Sequence, residues 1–354
     1  MKNYNVLIFG ASYGSLLATK LVLAGHDATM VCLPHEVEAF NTKGAIIRTP
    51  VRGHGGLVEL NTKNLSGKLS ACSPKEAQPS DFDLVVLAMQ EPQYGSPEVR
   101  DLLERVAVVK RPCMSIMNMP PLSYLSRIKG LDLKALRACY LAPDVWDCLD
   151  PNLMTLCSPD PQAFRPPEED VNVLQVRLPT NFKSARFEDG AHTQMLTDLQ
   201  VSIEGARFTA ADGQSMELPV KLKVHNSVFV PLAKWAMLLA GNYRCVEADG
   251  IRPIQEAVHS DLAVSQSVYN WVVDLCVVLG GDAADFVPFE KYANAALSLG
   301  SPSSAARALG AGAKNIERVD KLVQMIGASL GMQNDNVDAT VELVDKWLNK
   351  NRAN

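Results

Sequence analysis

Between Asn5 and Leu21 the chain reads NVLIFGASYGSLLATKL, and its most chemically pointed residues are Gly10, Ala11, Ser12, Tyr13, Gly14 and Ser15. An apolar strand, a glycine turn and an apolar-periodic helix, in that order, aim backbone N–H groups and a helix N-terminus at one point, where a pyrophosphate can rest. The turn reads G-A-S-Y-G, however, and not G-x-G-x-x-G. Other chemistry is sparse. The histidines form no H-x-x-x-H or other metal spacing, so no metal site is expected, and no G-x-S-x-G elbow occurs. The eight cysteines (Cys32, Cys72, Cys113, Cys139, Cys148, Cys157, Cys245, Cys276) make no C-x-x-C pair, and several sit in apolar runs. They read as reduced thiols of an intracellular protein.

The elements that position this turn follow in a regular alternation. NVLIFG and DATMVCL are strand-like and enclose a helix from about Gly14 to Ala24, with AGH as its stop. After a helix in PHEVEAFNTKG come the short strand-like pieces AIIRT and GLVEL, then DFDLVVLAMQ, whose apolar centre suits a parallel strand buried on both faces. A helix near Ser96–Val108 and the run CMSIMN continue the pattern. Such a β, helix, β order predicts a parallel sheet with right-handed crossovers and a ligand crevice at the carboxyl ends of its strands. Gly10–Ser15, Gln90–Gln93 and Asn118 all fall at such ends.

Between about 145 and 218 the texture changes to proline-rich SPDPQAFRPPEED, then VNVLQVRLP, ARFEDG and ARFTAADG, read as strands and turns extending the sheet. The remainder reads as helical: VKLKVHNSVFVPLAKWAMLLAG, HSDLAVSQSVYNWVVDLCVVLGG, NIERVDKLVQMIGASLG and NVDATVELVDKWLNKN each carry apolar residues at helical spacing. The expected fold class is therefore α/β, with a Rossmann-like parallel-sheet domain over 1–215, its last part (145–215) an irregular strand-rich extension, and an all-α domain over 216–354.

A formal charge of -5 offers no basic surplus for phosphate neutralisation, which argues against nucleic acid or an anionic membrane as the main partner. No run of 18 apolar residues suggests a membrane span. The first strand begins at about Asn5, which leaves no room for a signal peptide, so a cytoplasmic protein is expected.

Five stretches carry a more specific signal. LIFGASYGSLLATKLVLAGHDATMV, DLVVLAMQEPQ, IMNMPPL, VHNSVFVPLAKW and SPSSAARALGAGAKNIERVDKLVQMIGASLG stand in the order and approximate spacing of the ketopantoate reductase (2-dehydropantoate 2-reductase) family, which the chain resembles as a divergent member. The likeness spans nearly the whole chain except 145–218. It implies a Rossmann domain binding NADPH, an all-helical C-terminal domain of the 6-phosphogluconate dehydrogenase type, a cleft between the two, and a homodimer.

Against that pattern the functional positions depart repeatedly. The family's three-glycine turn is either one residue shorter here, with Ser12 at the second glycine, or shifted, with Phe9 and Ala11 at the first two. Either way a Cβ stands where backbone should approach the pyrophosphate. The arginine that takes the 2′-phosphate of NADPH falls on Leu33, followed by Pro34 and His35. The family's lysine after the strand that DLVVLAMQ matches becomes Gln90, its glutamine survives as Gln93, and its asparagine near the nicotinamide as Asn118, with Met119 in place of glycine.

In this family a lysine general acid supplies the proton for the reduced ketone, with asparagines four and eight residues further along one helical face. Alignment keeps Asn226, puts Val230 at the second asparagine and Leu222 at the lysine. On a helix Lys223 would lie close to the Asn226 face, so Lys223 is one candidate acid and His225 the other. The substrate serine matches Ser303 or Ser304, and the substrate glutamate falls on Asn315 or, with a two-residue slip, Glu317. The resemblance thus implies an NADP(H)-dependent oxidoreductase that reduces a 2-keto acid or oxidises the corresponding alcohol. With neither an acid for NAD nor an arginine for NADP after the second strand, NAD stays open as the cofactor, and the missing lysine, arginine and asparagine speak against ketopantoate itself as the substrate. Two alternatives are a non-catalytic protein binding a nucleotide or small acid on the same fold, and an opine-type dehydrogenase with a histidine acid.

Overall fold

Val6, Leu7, Ile8 and Phe9 are all fully buried, because the strand they form is flanked on both sides by strands of its own direction. The computed structural model describes residues 2–210 and 213–353. Its strands are β1 (Asn5–Phe9), β2 (Asp27–Val31), β3 (Ile46–Pro50), β4 (Leu57–Asn61), β5 (Leu69–Cys72), β6 (Leu84–Leu87), β7 (Cys113–Ile116), β8 (Met154–Ser158), β9 (Gln162–Phe164), β10 (Val173–Leu178), β11 (Phe182–Ala185), β12 (Phe208–Thr209), β13 (Ser215–Met216) and β14 (Leu222–His225). Eight of them form one sheet in the order β14-β11-β8-β7-β6-β1-β2-β5.

From β5 to β8 all neighbours are parallel, and the strand order reverses between β1 and β6, the doubly-wound arrangement. β11 runs antiparallel to β8, and β14 runs parallel to β11, so these two strands point against the other six. A second sheet, β4-β3-β10-β9, and the β12–β13 hairpin are separate from it.

The helices are α1 (Tyr13–Leu23), α2 (Pro34–Lys43), α3 (Pro97–Val108), α4 (Leu122–Leu125), α5 (Leu133–Leu136), α6 (Gly190–Gly205), α7 (Lys234–Met237), α8 (Ile254–His259), α9 (Leu262–Val278), α10 (Phe289–Ala296), α11 (Ser304–Gly310), α12 (Val319–Ser329) and α13 (Asp335–Ala353). The 145–215 stretch is not only strands and turns, since α6 crosses it. Asp189 caps that helix by accepting from Ala191 N and His192 N, and Met195, Leu196, Leu199 and Ile203 bury one face. The turn in ARFTAADG includes Ala211 and Asp212, which lie outside the described residues. The serine-bearing edge strand β5 passes unnoticed in the sequence.

The most consequential correction is β14. Residues 220–225 alternate apolar and polar (V-K-L-K-V-H), the strand period, and they pair with β11 where a helix was expected.

The chain divides into two compact units. The first comprises residues up to Met89, Gln93–Tyr124 and Asp144–Asn226; the second comprises Gln90–Pro92, Leu125–Pro143 and the chain from Ser227 onward. Where the sequence suggested a boundary after residue 215, the pairing of β14 keeps the chain in the first unit through Asn226. In the second unit Tyr269, Phe289 and Tyr292 pack ring to ring, with Tyr269 and Tyr292 stacked at 5.5 Å. Among the described residues no helix is long and apolar enough to cross a membrane.

Polar side chains tie the first unit's layers together. Both open edges of the large sheet meet an amide side chain. Asn41 of α2 donates to Ala71 O and accepts from Ala71 N on β5, while Gln200 of α6 accepts from Val224 N on β14. Buried His26, in the turn between α1 and β2, accepts from Tyr4 N at Nδ1 (3.2 Å) and lies 2.7 Å from Ser202 Oγ at Nε2. Ser202 Oγ in turn donates to Leu199 O. This chain of donors fixes a neutral ring protonated at Nε2, and burial holds its pKa below the ordinary value, with Asp27 opposing.

The unfolded chain therefore takes up this proton first as pH falls, so His26 contributes stability that is full above about pH 6.5 and declines below it. We expect the melting temperature to drop as pH falls below about 6.5. His26→Gln should be less stable at neutral pH by about 1–3 kcal/mol and lose most of that slope, as read by thermal melts across the range.

Candidate functional site

The turn after β1 resolves the two readings of its glycines. Gly10 has φ +93°, and a Cβ there would stand 2.6 Å from Met89 Cγ and 2.8 Å from Ala88 O, so both torsion and space demand glycine. Gly14 sits in the first turn of α1, where a Cβ would meet Ile8 Cγ2 at 2.8 Å. Gly10 and Gly14 therefore meet the torsional and packing demands that a dinucleotide loop makes of its first and last glycines. The loop is thus the shortened version, with Ser12 in the middle position. Ser12 precedes α1 and its side chain makes no cap; its carbonyl accepts from Ser15 N and from Ser15 Oγ (2.8 Å). Ala11 and Ser15 are buried, Tyr13 is half-buried and Ser12 is exposed. The first turn of α1 carries no acidic residue, which leaves its partial positive charge uncompensated by side chains.

Beside this turn, at the reversal of strand order, β6 is followed by Ala88 and Met89, with the exposed Gln93 a few residues on; Gln90, also exposed, belongs to the second unit. Tyr94 holds that end in place. Its hydroxyl accepts from Met89 N at 3.1 Å, and its buried ring packs on Trp146 (5.1 Å) and Phe9 (6.5 Å). Neither Tyr94 nor Trp146 stands out in the sequence, since only the fold brings residues 9, 94 and 146 together. Asn118 follows β7 at the same carboxyl edge and is partly buried.

Lys223, His225 and Asn226 are placed differently. On a strand, Leu222 and Asn226 are about 13 Å apart, against about 6 Å on a helix, so the lysine–asparagine spacing that the resemblance implies is not reproduced. Lys223 pairs with Glu204 of α6. His225 ends a strand that runs opposite to β7, so it lies at the far edge of the sheet from Asn118, and three strand spacings, about 14 Å, separate β14 from β7. Arg186 donates from its backbone N to His225 O and from Nε to Asn226 O.

The entry to β14 is unusual. Val220 has φ +63°, a torsion that costs a β-branched residue about 1–2 kcal/mol. Its side chain is buried in the core, and the carbonyls of Leu218 and Pro219 before it accept from the buried Lys20 Nζ at 3.5 and 3.0 Å. Burial, then the neighbouring Lys221, lower the Lys20 pKa to about 7, with Glu217 opposing.

In the second unit Ser303 caps α11 by accepting from Ala306 N and donates to Asn242 O at 2.7 Å; at 2% exposed it is consumed by structure. Glu317 lies just before α12. Its carboxylate accepts from Glu91 N (3.2 Å) and its carbonyl from Tyr243 OH (2.6 Å). Glu91 is itself buried and accepts from Leu141 N at 3.0 Å. Burial raises its pKa, while the backbone donors of Leu141 and Ala142 pull it back. No local motif marks Glu91 in the sequence. Among the described residues no group of three or more His, Cys, Asp or Glu could hold a metal ion.

No protein-family model matches the sequence, and no curated protein matches it significantly. Solved structures match along the full length. A protein from Ralstonia solanacearum MolK2 provisionally assigned as a ketopantoate reductase has a TM-score of 0.68 at 13% identity, covering 99% of each chain. The 2-dehydropantoate 2-reductase of Methylococcus capsulatus has a TM-score of 0.65 at 11% identity, covering 98% of this chain and 97% of that one. A D-mandelate dehydrogenase, solved with NADH and anilino(oxo)acetate, has a TM-score of 0.63 at 13% identity, covering 98% and 99%. The fold is therefore the two-part α/β and all-α arrangement these proteins share.

Two substitution sites test this geometry. Gly10→Ala should cost about 2 kcal/mol or more, since it meets both a forbidden torsion and occupied space, and chemical denaturation reads the loss. At position 220 the usual order should invert: Val220→Gly relieves the torsion that Val220→Ala keeps, so the glycine variant should melt higher than the alanine variant.

Proposed function

We propose that this protein is an oxidoreductase that uses a nicotinamide dinucleotide to interconvert a 2-keto acid and its 2-hydroxy acid. One observation carries the reading: Gly10 and Gly14 keep the two backbone constraints of a dinucleotide turn at the point where strand order reverses. The pyrophosphate would rest on the N-terminal turn of α1, with Ser12 and Tyr13 at its rim and Gln93 and Asn118 at the same carboxyl edge. The neighbouring folds add support. The D-mandelate dehydrogenase bears NADH and an oxoacetate derivative, and the other two are keto-acid reductases by description.

When bound, the cofactor supplies or accepts the hydride, and the protein must deliver a proton to the carbonyl oxygen. Asn118, at the carboxyl edge, orients the reacting end through its amide. Lys223 and His225 do not fill the proton-donor role in this proposal, because one is engaged by Glu204 and the other ends a strand at the opposite edge.

A second reading rests on the same strand. With 222–225 extended, Lys223, His225 and Asn226 do not form the helical lysine–asparagine row that the resemblance placed there, as suits a non-catalytic dinucleotide-binding protein.

The two separate experimentally. NADH or NADPH fluorescence titration reports binding, and cofactor oxidation with a panel of 2-keto acids reports turnover. We expect binding with Kd below about 1 mM and turnover of at least one acid. Asn118→Ala should lower the rate about 10–100-fold, while Lys223→Ala and His225→Ala should change it less than about twofold. Binding without turnover selects the second reading. Absence of binding by either cofactor overturns both.

A further inference from the structure

In a doubly-wound sheet the ribose of the adenosine half lies at the end of β2, about 20 residues past the glycine turn, and the charge there decides whether a 2′-phosphate is accepted. Here that rim is built from Cys32, Leu33 and the first turn of α2. Leu33 is 60% exposed and uncharged, and its N–H donates to Glu36 Oε2 at 3.0 Å. The other carboxylate oxygen, Oε1, accepts from Arg165 Nη1 at 2.6 Å. Arg165 comes from the chain just after β9, 129 residues away in sequence, so no motif around β2 could have announced it.

The adjoining end of β5 adds a second carboxylate. Cys32 N donates to Cys72 O, and in the next turn Glu76 accepts from Ser73 N and Ser73 Oγ, both at 2.8 Å. Lys75, in that same turn, is paired with Glu98 of α3 at 3.0 Å. Burial raises the pKa of Cys32 to about 12 and of Cys72 to about 11. Glu36 adds to the first shift and Glu76 to the second, while Arg165 opposes at Cys32, as expected of charges sharing one rim.

Two carboxylates thus face this rim against one guanidinium, and Glu36 already neutralises that guanidinium. A 2′-phosphate, close to dianionic at neutral pH, would enter a field of its own sign. A ribose 2′-hydroxyl is neutral and can donate to the Glu36 carboxylate, which has accepting capacity beyond its bonds to Leu33 N and Arg165. Resting on the dinucleotide reading above, we propose that the site selects the cofactor without a 2′-phosphate, NAD(H), and that Glu36, by neutralising Arg165, is the residue that sets this choice. The NADP(H) preference that the resemblance implies is thereby reversed.

Calorimetric titration of the full chain with NADH, NADPH, 5′-AMP and adenosine 2′,5′-bisphosphate tests it without requiring turnover. The wild type should bind NADH and AMP at least about tenfold tighter than their phosphorylated counterparts. Glu36→Gln frees Arg165 and should narrow or invert both ratios by about tenfold, while Arg165→Gln should leave the phosphorylated ligands the weaker pair. The amide oxygen introduced by Glu36→Gln can still accept from Leu33 N, and a thermal melt checks that this variant folds. If it does not fold, the wild-type ratios decide alone. A wild-type preference for NADPH and the bisphosphate, or an unchanged ratio in folded Glu36→Gln, overturns this inference and leaves the dinucleotide reading standing. Failure of all four ligands to bind overturns both.

Discussion

The close approach of the chain after β6 to Gly10 is the constraint on which the first unit depends. The residue turns with positive φ between the end of β1 and the start of α1, and the space a side chain would need is filled by Met89 and the Ala88 carbonyl. Because that contact is so tight, β6 must end beside β1, and the reversal of strand order falls at the mouth of the turn. The packing of Gly14 on Ile8 then sets the tilt of α1, whose residues from Gly14 to Leu23 are all buried. The helix is therefore an internal strut, and its N-terminus is aimed by packing on both sides.

Much of this is legible in the residues. Apolar runs such as LVVL at 84–87 and NVLIF at 5–9 identify strands covered on both faces, and helical periodicity marks α1, α2, α3, α9, α12 and α13. Two elements are obscured by a competing period. VKLKVH alternates strictly, but it abuts VFVPLAKW, which is helical, and a resemblance that implies a helix makes one continuous element of both. In α6 the Asp189 cap and the spacing of Leu196, Leu199 and Ile203 are present but lie within a stretch dominated by proline and turn residues. Local pattern cannot report contacts between residues far apart in sequence, which is why Tyr94 with Trp146, and Glu36 with Arg165, required the fold.

The candidate site is legible in the same uneven way. The turn proposed to hold a cofactor is written locally, in consecutive residues at a strand end, and Gly10, Gly14 and Asn118 lie at the carboxyl edge of the sheet. The proton-transfer half depends on a helical spacing, and once 222–225 is a strand that spacing carries no geometric meaning. Ser303 shows the complementary limit. A serine at the start of a helix is as well explained by capping as by substrate binding, and its bonds to Ala306 N and Asn242 O use its hydroxyl in both senses. The rim at β2 has a related lesson, since its charge balance depends on a residue supplied from the other sheet's neighbourhood.

An open sheet of eight strands presents two rows of unpaired backbone groups, the template on which chains add to one another. In this fold both rows are met by a single amide side chain: Asn41 satisfies both groups of Ala71 on β5, and Gln200 takes the Val224 N–H on β14. Each amide imitates one residue of an additional strand without offering the groups a further strand would need. The sheet is thereby finished at its ends by helices, and one amide side chain at each edge stands against growth by strand addition.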